Sequence, residues 1–66
     1  MTIGEKLRIL RNAQGFSQSE AALLAGIGQA HWARLETGAI SPTFNTIRKV
    51  ARAVRSTPAG LLTGVG

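Results

Sequence analysis

The sequence predicts an all-α fold, a compact bundle of five short helices, and three observations lead to this prediction. Apolar residues recur at intervals of three and four, which is typical of helices, and never alternate over a strand-length segment. Serine, threonine and glycine residues interrupt this pattern often enough to keep every helix short. The two prolines, Pro42 and Pro58, both lie where a helix could begin, a position that tolerates proline.

The five helices are predicted over residues 2–13, 17–25, 28–36, 43–54 and 58–63. The first two open with a hydroxyl residue followed three positions later by a glutamate, as Thr2 with Glu5 and Ser17 with Glu20. This spacing is the capping-box pattern of a helix start. Gly15 suits the left-handed backbone conformation that follows many helices and ends the first one. The positions predicted to face the interior are Ile3, Leu7, Leu10, Ala21, Leu24 and Ala25.

Glycine, threonine and proline residues mark the other three helices. Gly26 ends the second helix, the third begins at Gly28, and Gly38 ends it. Thr43 caps the fourth helix, and Thr57-Pro58 opens a short fifth turn. The apolar residues at helical spacing in the fourth helix are Phe44, Ile47, Val50, Ala51 and Val54. Its other sides hold Arg48, Lys49, Arg52 and Arg55.

A chain of 66 residues is expected to form a single domain, over 1–66, that is too small to enclose a deep catalytic cleft. An enzyme would need a nucleophile with a base, paired carboxylates or metal ligands. The sequence has one histidine, no cysteine and three scattered glutamates, each of which has a structural explanation. We therefore expect no enzyme, no cofactor, no metal site and no small-molecule ligand.

The charge balance favours a polyanionic partner without requiring one. Eight Lys and Arg residues against three acidic residues give a net charge of +5 at pH 7. Neutralising phosphates with such an excess releases counterions, but solubility alone also explains it.

No apolar run approaches the roughly 18 residues of a membrane span, and charged residues interrupt the first dozen positions, unlike in a signal peptide. The expected location is the cytoplasm, in association with the nucleoid.

The segment from Ser17 to Glu36 carries the functional information. It is predicted to hold a short helix, a tight turn at Gly26 and a second short helix. Two helices joined by so brief a turn cross at a large angle, so one can lie across the DNA backbone while the other enters the major groove. Many helical proteins contain such corners, and the turn by itself leaves DNA binding open.

The order of residues is more specific than the turn. The segment FSQSEAALLAGIGQAHWARLETGAISPTFNTIRKVARAV resembles the phage repressor and Cro-type helix-turn-helix family, also called the XRE family. The matching features are Gly15-Phe16-Ser17-Gln18, Ala22, Ala25-Gly26-Ile27, Gln29, Arg34-Leu35-Glu36, Gly38, Ser41-Pro42 and the apolar fourth helix. The resemblance covers residues 3–63, which is nearly the whole chain.

The resemblance implies a lambda-repressor-like DNA-binding fold with the helix-turn-helix at 17–36. It also implies a transcriptional regulator that binds double-stranded DNA sequence-specifically, as a repressor that forms a homodimer on a palindromic operator. The half-sites would lie about one helical turn apart. Two alternatives are a protein-interaction module on the same fold and a cationic amphipathic membrane binder. Gln29 and Arg34 argue against the first, and the repeated caps and glycine stops argue against the second.

Three residues of the third helix are candidates for contacts with DNA bases. Gln29 lies at the helix start, where its amide can both donate to and accept from adenine; the alternative is a solvated surface glutamine. Ala30 either meets a thymine methyl or merely favours helix formation. The resemblance implies that Arg34 faces DNA. Because it lies about 140° round the helix from Gln29, only its long side chain would let it reach the same groove. Its guanidinium suits either guanine or phosphate.

The resemblance also implies contacts with the DNA backbone by Gln18, Thr43, Phe44 and Asn45, and His31, which stands where the family usually has a small hydroxyl residue, is a further candidate. Gln18 would touch a phosphate at a helix start that favours anions, and would brace the glutamine that opens the third helix. The start of the fourth helix would offer backbone N–H groups to a phosphate, with the side chain of Asn45 as a helper. His31 would either donate to a phosphate or be exposed.

Other residues of the resemblance have structural roles. Arg11 and Glu36 are expected to form a partly buried ion pair that orients the recognition helix. Ile27, Trp32 and Leu35 are expected to form the core of that helix. Trp32 departs from the family, in which a smaller aliphatic residue usually fills this slot. A stacking or wedge role of its ring in the groove is the alternative to core packing.

A dimer contact is implied for the loop 38–41, through Ile40, and for the fifth helix, through Leu61 and Leu62. Ile9 is predicted to face outward on the first helix. It is either an ordinary exposed residue or part of a contact with a second protomer. The basic side of the fourth helix is either a solvated face or adds long-range attraction to DNA.

Overall fold

The computed structural model describes residues 1–65, which fold into five helices without a strand. The helices are α1 (Ile3–Ala13), α2 (Gln18–Ala25), α3 (Gln29–Thr37), α4 (Phe44–Ala53) and α5 (Pro58–Leu62). The predicted all-α class and five-helix bundle are confirmed, and every helix end lies within one residue of its prediction. Most of the differences arise because the prediction counted the capping residue as part of the helix. The domain predicted over 1–66 includes Gly66, which lies outside the described residues.

Capping boxes set the first residues of α1 and α2. Thr2 Oγ1 accepts a hydrogen bond from the Glu5 N–H at 3.1 Å, and Glu5 Oε1 accepts one from the Thr2 N–H at 2.9 Å. Ser17 and Glu20 repeat both bonds at the same distances. Each box pairs N–H groups that the first turn of a helix leaves without partners, so the two starts are determined locally.

The end of α4 is unusual because an arginine takes the position that glycine commonly occupies. Arg55 has a left-handed backbone with φ 59°. The N–H of Ser56 donates to the carbonyl of Ala51 at 2.8 Å and closes the helix end. A side chain in this conformation strains the backbone, since its Cβ crowds the following carbonyl. The cation nevertheless lies favourably at the negative end of the helix dipole.

The core lies between all five helices. α3 packs on α1 and α2, α4 packs on α2 and α5, and α5 also packs on α1. The largest fully buried side chains are Trp32, Leu7, Leu61, Val50 and Val54. The predicted role of Leu61 in a dimer contact is therefore wrong, because its side chain is 0% exposed. It instead packs inward, where α5 closes the bundle.

The interior face of α2 consists of alanines. Ala21, Ala22 and Ala25 are buried, and these small residues let α2 approach α3 and α4 closely. Leu24 was predicted to face the interior, but it is 53% exposed. By the 3.6-residue period it lies about 110° from the centre of the alanine face, which explains its exposure. Leu23 lies farther round and is 81% exposed.

Gly4 allows the closest approach between α1 and α3. It is buried in the first turn of α1. A β-carbon at this position would lie less than 3.0 Å from the backbone carbonyl oxygens of Leu35 and Glu36. Only a glycine therefore fits where α1 meets the last turn of α3. None of the helices within residues 1–65 has the length and apolar character needed to cross a membrane.

Candidate nucleic-acid interface

α2 and α3 are joined by a turn of three residues, Gly26, Ile27 and Gly28. Gly26 has a left-handed backbone with φ 74°, and the N–H of Ile27 donates to the carbonyl of Ala22 at 3.0 Å. Ile27 is half-buried and packs against the core, in agreement with its predicted role. Gly28 then precedes α3 in an extended conformation. The turn is thus held at its centre, and the two helices that it joins pack on each other.

α3 has one buried side and one exposed side. The buried side holds Trp32, Leu35 and Glu36. The residues predicted to read bases are all exposed: Gln29, Ala30 and Arg34. The 3.6-residue period spreads these three over about 140° of the helix surface. α3 therefore presents them to solvent together, and their contact with DNA stays a prediction.

Glu36 is the centre of a hydrogen-bond network that ties α3 to the bundle. The guanidinium of Arg11 donates to it twice, from Nε to Oε2 at 2.5 Å and from Nη2 to Oε1 at 3.0 Å. The side chain of Gln18 donates to Oε1 at 3.3 Å, and the indole N–H of Trp32 donates to Oε2. Arg11 Nη1 donates further to the carbonyl of Phe16 at 2.9 Å. One carboxylate thus joins the end of α1, the start of α2 and the end of α3.

The ion pair predicted between Arg11 and Glu36 is present, and it is mostly withdrawn from water. Their side chains are 12% and 4% exposed. Burial on its own would raise the pKa of Glu36, but hydrogen bonds from Arg11, Trp32 and Gln18, with the charge of Arg11, lower it below the ordinary 4.5. The hydrogen bond to Glu36 chiefly raises the pKa of Arg11. Both groups are therefore charged at neutral pH.

Trp32 fits its slot because its polar atom is satisfied. The ring is 0% exposed and lies in the core, as predicted, so it is not available for stacking on DNA in this structure. Its indole N–H donates to Glu36, which lies four residues later on the same side of α3. A buried tryptophan normally requires such a partner. The large residue therefore both fills the space under α3 and takes part in the Glu36 network.

The predicted contact between Gln18 and Gln29 is not seen in the structure. The side-chain amide of Gln18 is half-buried and donates to Glu36. Its position in the first turn of α2 remains suitable for a phosphate, since the N–H groups of that turn and the helix dipole favour an anion. Gln18 thus supports α3 through its hydrogen bond to Glu36 on the buried side of that helix, and not through Gln29.

The start of α4 offers a second set of exposed groups. Thr43 caps this helix by accepting from the N–H of Thr46 at 3.2 Å. Thr43, Phe44 and Asn45 are exposed, and the ring of Phe44 is 64% exposed although phenylalanine is apolar. His31 of α3 is half-buried. All four of these residues were predicted to contact the DNA backbone. The structure gives their exposure, and their contacts with DNA stay predictions.

Comparison with known proteins identifies the family. The family model described as a helix-turn-helix domain matches residues 2–62. The restriction-modification controller protein C.AhdI from Aeromonas hydrophila is 34% identical over 89% of this chain and 86% of its own, with a TM-score of 0.86. The chain belongs to the helix-turn-helix domain family. Its similarity to the controller protein extends over most of both chains.

Two further structures show how this helix-turn-helix fold recurs. The DNA-binding domain of the P22 C2 repressor superposes with a TM-score of 0.91, over 97% of this chain and 84% of its own, at 20% identity. An HTH_3 family transcriptional regulator from Vibrio cholerae is 30% identical over 92% of this chain but 34% of its own, with a TM-score of 0.86. The predicted lambda-repressor-like fold is confirmed. Comparison with curated protein sequences gives no match.

Two features of this helix-turn-helix domain were not predicted from the sequence. Gly4 permits the contact between α1 and α3, and its signal was a glycine inside a segment predicted to be helical. The hydrogen bond from Trp32 to Glu36 also went unpredicted. Their spacing of four residues was the available signal, because such residues are neighbours on a helix surface.

Proposed function

We propose that this chain regulates transcription by binding double-stranded DNA sequence-specifically, with α3 in the major groove. One observation carries the proposal: α3 is fixed along one side by Trp32 and the Glu36 network, and its opposite side exposes polar and small residues. A recognition helix needs this combination, because base readout depends on side chains held in a defined register. The similarity to a restriction-modification controller protein and to the DNA-binding domain of a repressor supports the same function.

Each exposed residue of α3 has a chemical role in this proposal. Gln29 lies at the N-terminus of the helix and pairs with adenine through its amide. Ala30 meets a thymine methyl, and Arg34 donates to guanine or to a phosphate. His31 donates to a phosphate beside the groove. Gln18 contacts the backbone from the start of α2.

The first turn of α4 holds the other side of the groove in this proposal. Its N–H groups point out of the helix start and suit a phosphate oxygen. Thr43, Phe44 and Asn45 are exposed there, so a DNA backbone can approach them without rearranging the fold. The DNA backbone would then be contacted at the starts of α2 and α4, on either side of α3.

A selection of binding sites from random duplexes tests the readout. The wild type is compared at fixed salt with Gln29→Ala and Arg34→Ala. The controls are two exposed substitutions, Arg8→Ala on α1 and Gln14→Ala at the cap that ends α1. We expect the first two to relax the preference at defined base pairs, at about 1–3 kcal/mol each, and the controls to keep it. Uniform weakening would assign those residues to the backbone. An absence of duplex binding even at low salt would refute the proposal.

The proposed form on DNA is a homodimer that acts as a repressor on a palindromic operator. Ile40 in the loop after α3 and Leu62 in α5 are apolar, and they are 37% and 40% exposed. Their burial against a second copy would remove apolar surface from water. A single copy with one short α3 reads only a few base pairs, so two copies one helical turn apart give the specificity that a repressor needs.

Sedimentation with operator and half-operator duplexes tests the dimer. The wild type is expected to bind the full operator as two cooperative copies and the half-operator as one. Ile40→Glu with Leu62→Glu should abolish the cooperativity, because two carboxylates would face each other across the contact. Leu23→Glu on the outer side of α2 is the matched control and should leave the cooperativity unchanged. Independent binding by the wild type would exclude the dimer on DNA.

A further inference from the structure

A basic groove lies between α4 and the start of α5, outside the residues assigned above to base reading. Its volume is about 390 Å³, and the side chains that give it its character are Asn45, Arg48, Lys49 and Arg52. All four are exposed. We call these four residues the α4 stripe.

The α4 stripe has no acidic neighbours on its own elements. The three acidic residues of the sequence lie in α1, α2 and α3. Glu5 and Glu20 are engaged in capping boxes, and Glu36 is bound to Arg11. The cations of the stripe therefore repel one another without an internal carboxylate to relieve them. Such a concentration of one sign attracts a polyanion strongly.

The spacing of the α4 stripe suits a chain of phosphates. Its members follow Asn45 at intervals of three, four and seven residues, which places them on one side of the helix. The opposite side holds Val50 and Ala51, which are buried in the core. At 1.5 Å per residue the stripe rises about 10 Å, and a DNA strand carries one phosphate per about 3.4 Å of helix axis. Long arginine and lysine side chains along that length can reach about three phosphates.

The stripe is continuous with the proposed DNA interface, because Asn45 belongs to both. It also lacks the anchors that a protein partner would use. Protein interfaces centre on aromatic or aliphatic residues buried in pockets, and Pro58 is the one apolar residue that lines this groove in the described part of the chain. Charge, spacing and continuity thus favour nucleic acid over an acidic protein segment.

We propose that the α4 stripe is a second DNA contact, which binds backbone phosphates flanking the base pairs read by α3. This inference rests on the proposed function. The stripe contributes affinity that does not depend on sequence, and the side of α3 away from the core contributes base preference. The bound site would therefore be longer than the segment that shows base preference in a selection.

The test measures affinity as a function of salt and duplex length. The triple substitution Arg48→Gln, Lys49→Gln and Arg52→Gln is compared with Lys6→Gln, Arg8→Gln and Arg55→Gln, which removes the same charge elsewhere. Thermal melting shows that each variant is folded. The duplexes are the selected site with no flank and the same site with about 10 base pairs on each side, roughly one helical turn.

The stripe variant is expected to lose the advantage of the flanked duplex and to keep its base preference. The slope of log K against log salt should fall by about 2–3, at about 0.9 per lost phosphate contact. The control variant should keep the advantage of the flanks. Equal effects of both variants, or flank dependence that survives in the stripe variant, would overturn the inference. So would competition by poly-glutamate for the stripe without any effect of flanking DNA.

The two proposals fail in distinguishable ways. If Gln29→Ala and Arg34→Ala leave the preference of the wild type unchanged, base reading by α3 is refuted. The salt slope on a random duplex still reports the stripe in that case. If those substitutions relax the preference but the stripe variant matches its control, only the further contact is refuted.

Discussion

Replacing Glu36 with alanine perturbs the one carboxylate that joins three helices. The substitution leaves four donor groups without their acceptor: two on Arg11, one on Gln18 and one on Trp32. Arg11 is 12% exposed and Trp32 is 0% exposed, so water reaches the first poorly and the second not at all. The cost is therefore that of leaving the charge of Arg11 and the indole N–H of Trp32 buried without a hydrogen-bond acceptor.

The expected loss is large compared with the stability of so small a domain. Removing one partner of a buried ion pair costs about 3–5 kcal/mol. At about 0.05–0.15 kcal/mol per residue, a 66-residue domain has about 3–10 kcal/mol in total. Glu36→Ala should thus remove about 30% or more of the free energy of unfolding. Since 1 kcal/mol shifts the midpoint of a domain this size by about 4–8 °C, we expect Tm to fall by about 12 °C or more.

Urea denaturation at neutral pH measures this loss through the fluorescence of Trp32. It is the single tryptophan of the sequence and is fully buried, so its emission reports the transition directly. Glu20→Ala is the matched control, since Glu20 is exposed and acts only in a capping box. We expect the control to cost about 1 kcal/mol. If Glu36→Ala came within 1 kcal/mol of it, the central role of Glu36 would be refuted.

Three further predictions follow from single residues. Because the folded state lowers the pKa of Glu36, the stabilising contribution of its carboxylate is present above pH 4.5 and should be lost as pH falls through the lowered pKa. Urea midpoints measured against pH test this. Glu36→Gln should be less stable than the wild type at neutral pH and should lose less stability on acidification. Gly4→Ala should cost about 1–3 kcal/mol or more by forcing α1 away from α3, whereas Gly28→Ala, which meets open space, should cost less than about 1 kcal/mol. Equal losses would contradict the close approach at Gly4. Arg55→Gly should raise the free energy of unfolding by about 0.5–1 kcal/mol by relieving the left-handed strain, and Arg55→Ala, which keeps that strain, should not.

The parts of the fold that depend on neighbouring residues were predictable from the sequence. Thr2, Ser17 and Thr43 accept from the N–H three residues later, so the pattern of residues determines where α1, α2 and α4 begin. Gly26 and Gly38 end their helices in left-handed conformations for an equally local reason. This is why the predicted bounds differ from the observed ones by at most one residue.

The parts that depend on packing were less predictable. Five of the eight residues of α2 are alanine or leucine, and periodicity alone cannot say which of them face inward. The close packing of α3 and α4 on α2 selects the alanines for the interior and leaves Leu24 exposed. Leu61 and Leu62 are adjacent and chemically alike, and only the position of α5 on the bundle decides that Leu61 is buried. Contacts with bases depend on DNA, which is not part of the chain, so neither the sequence nor the fold of the chain alone determines them.

The charge distribution relates the two proposals to each other. Arg34 is the one lysine or arginine of α3, so base reading by this helix has little electrostatic affinity of its own. Arg11 is already paired with Glu36 at the end of α3. The cations of the α4 stripe are exposed and have no acidic residue on their elements. Affinity and specificity would then reside on different helices, so substitutions in the stripe should change the salt dependence without changing the preferred sequence.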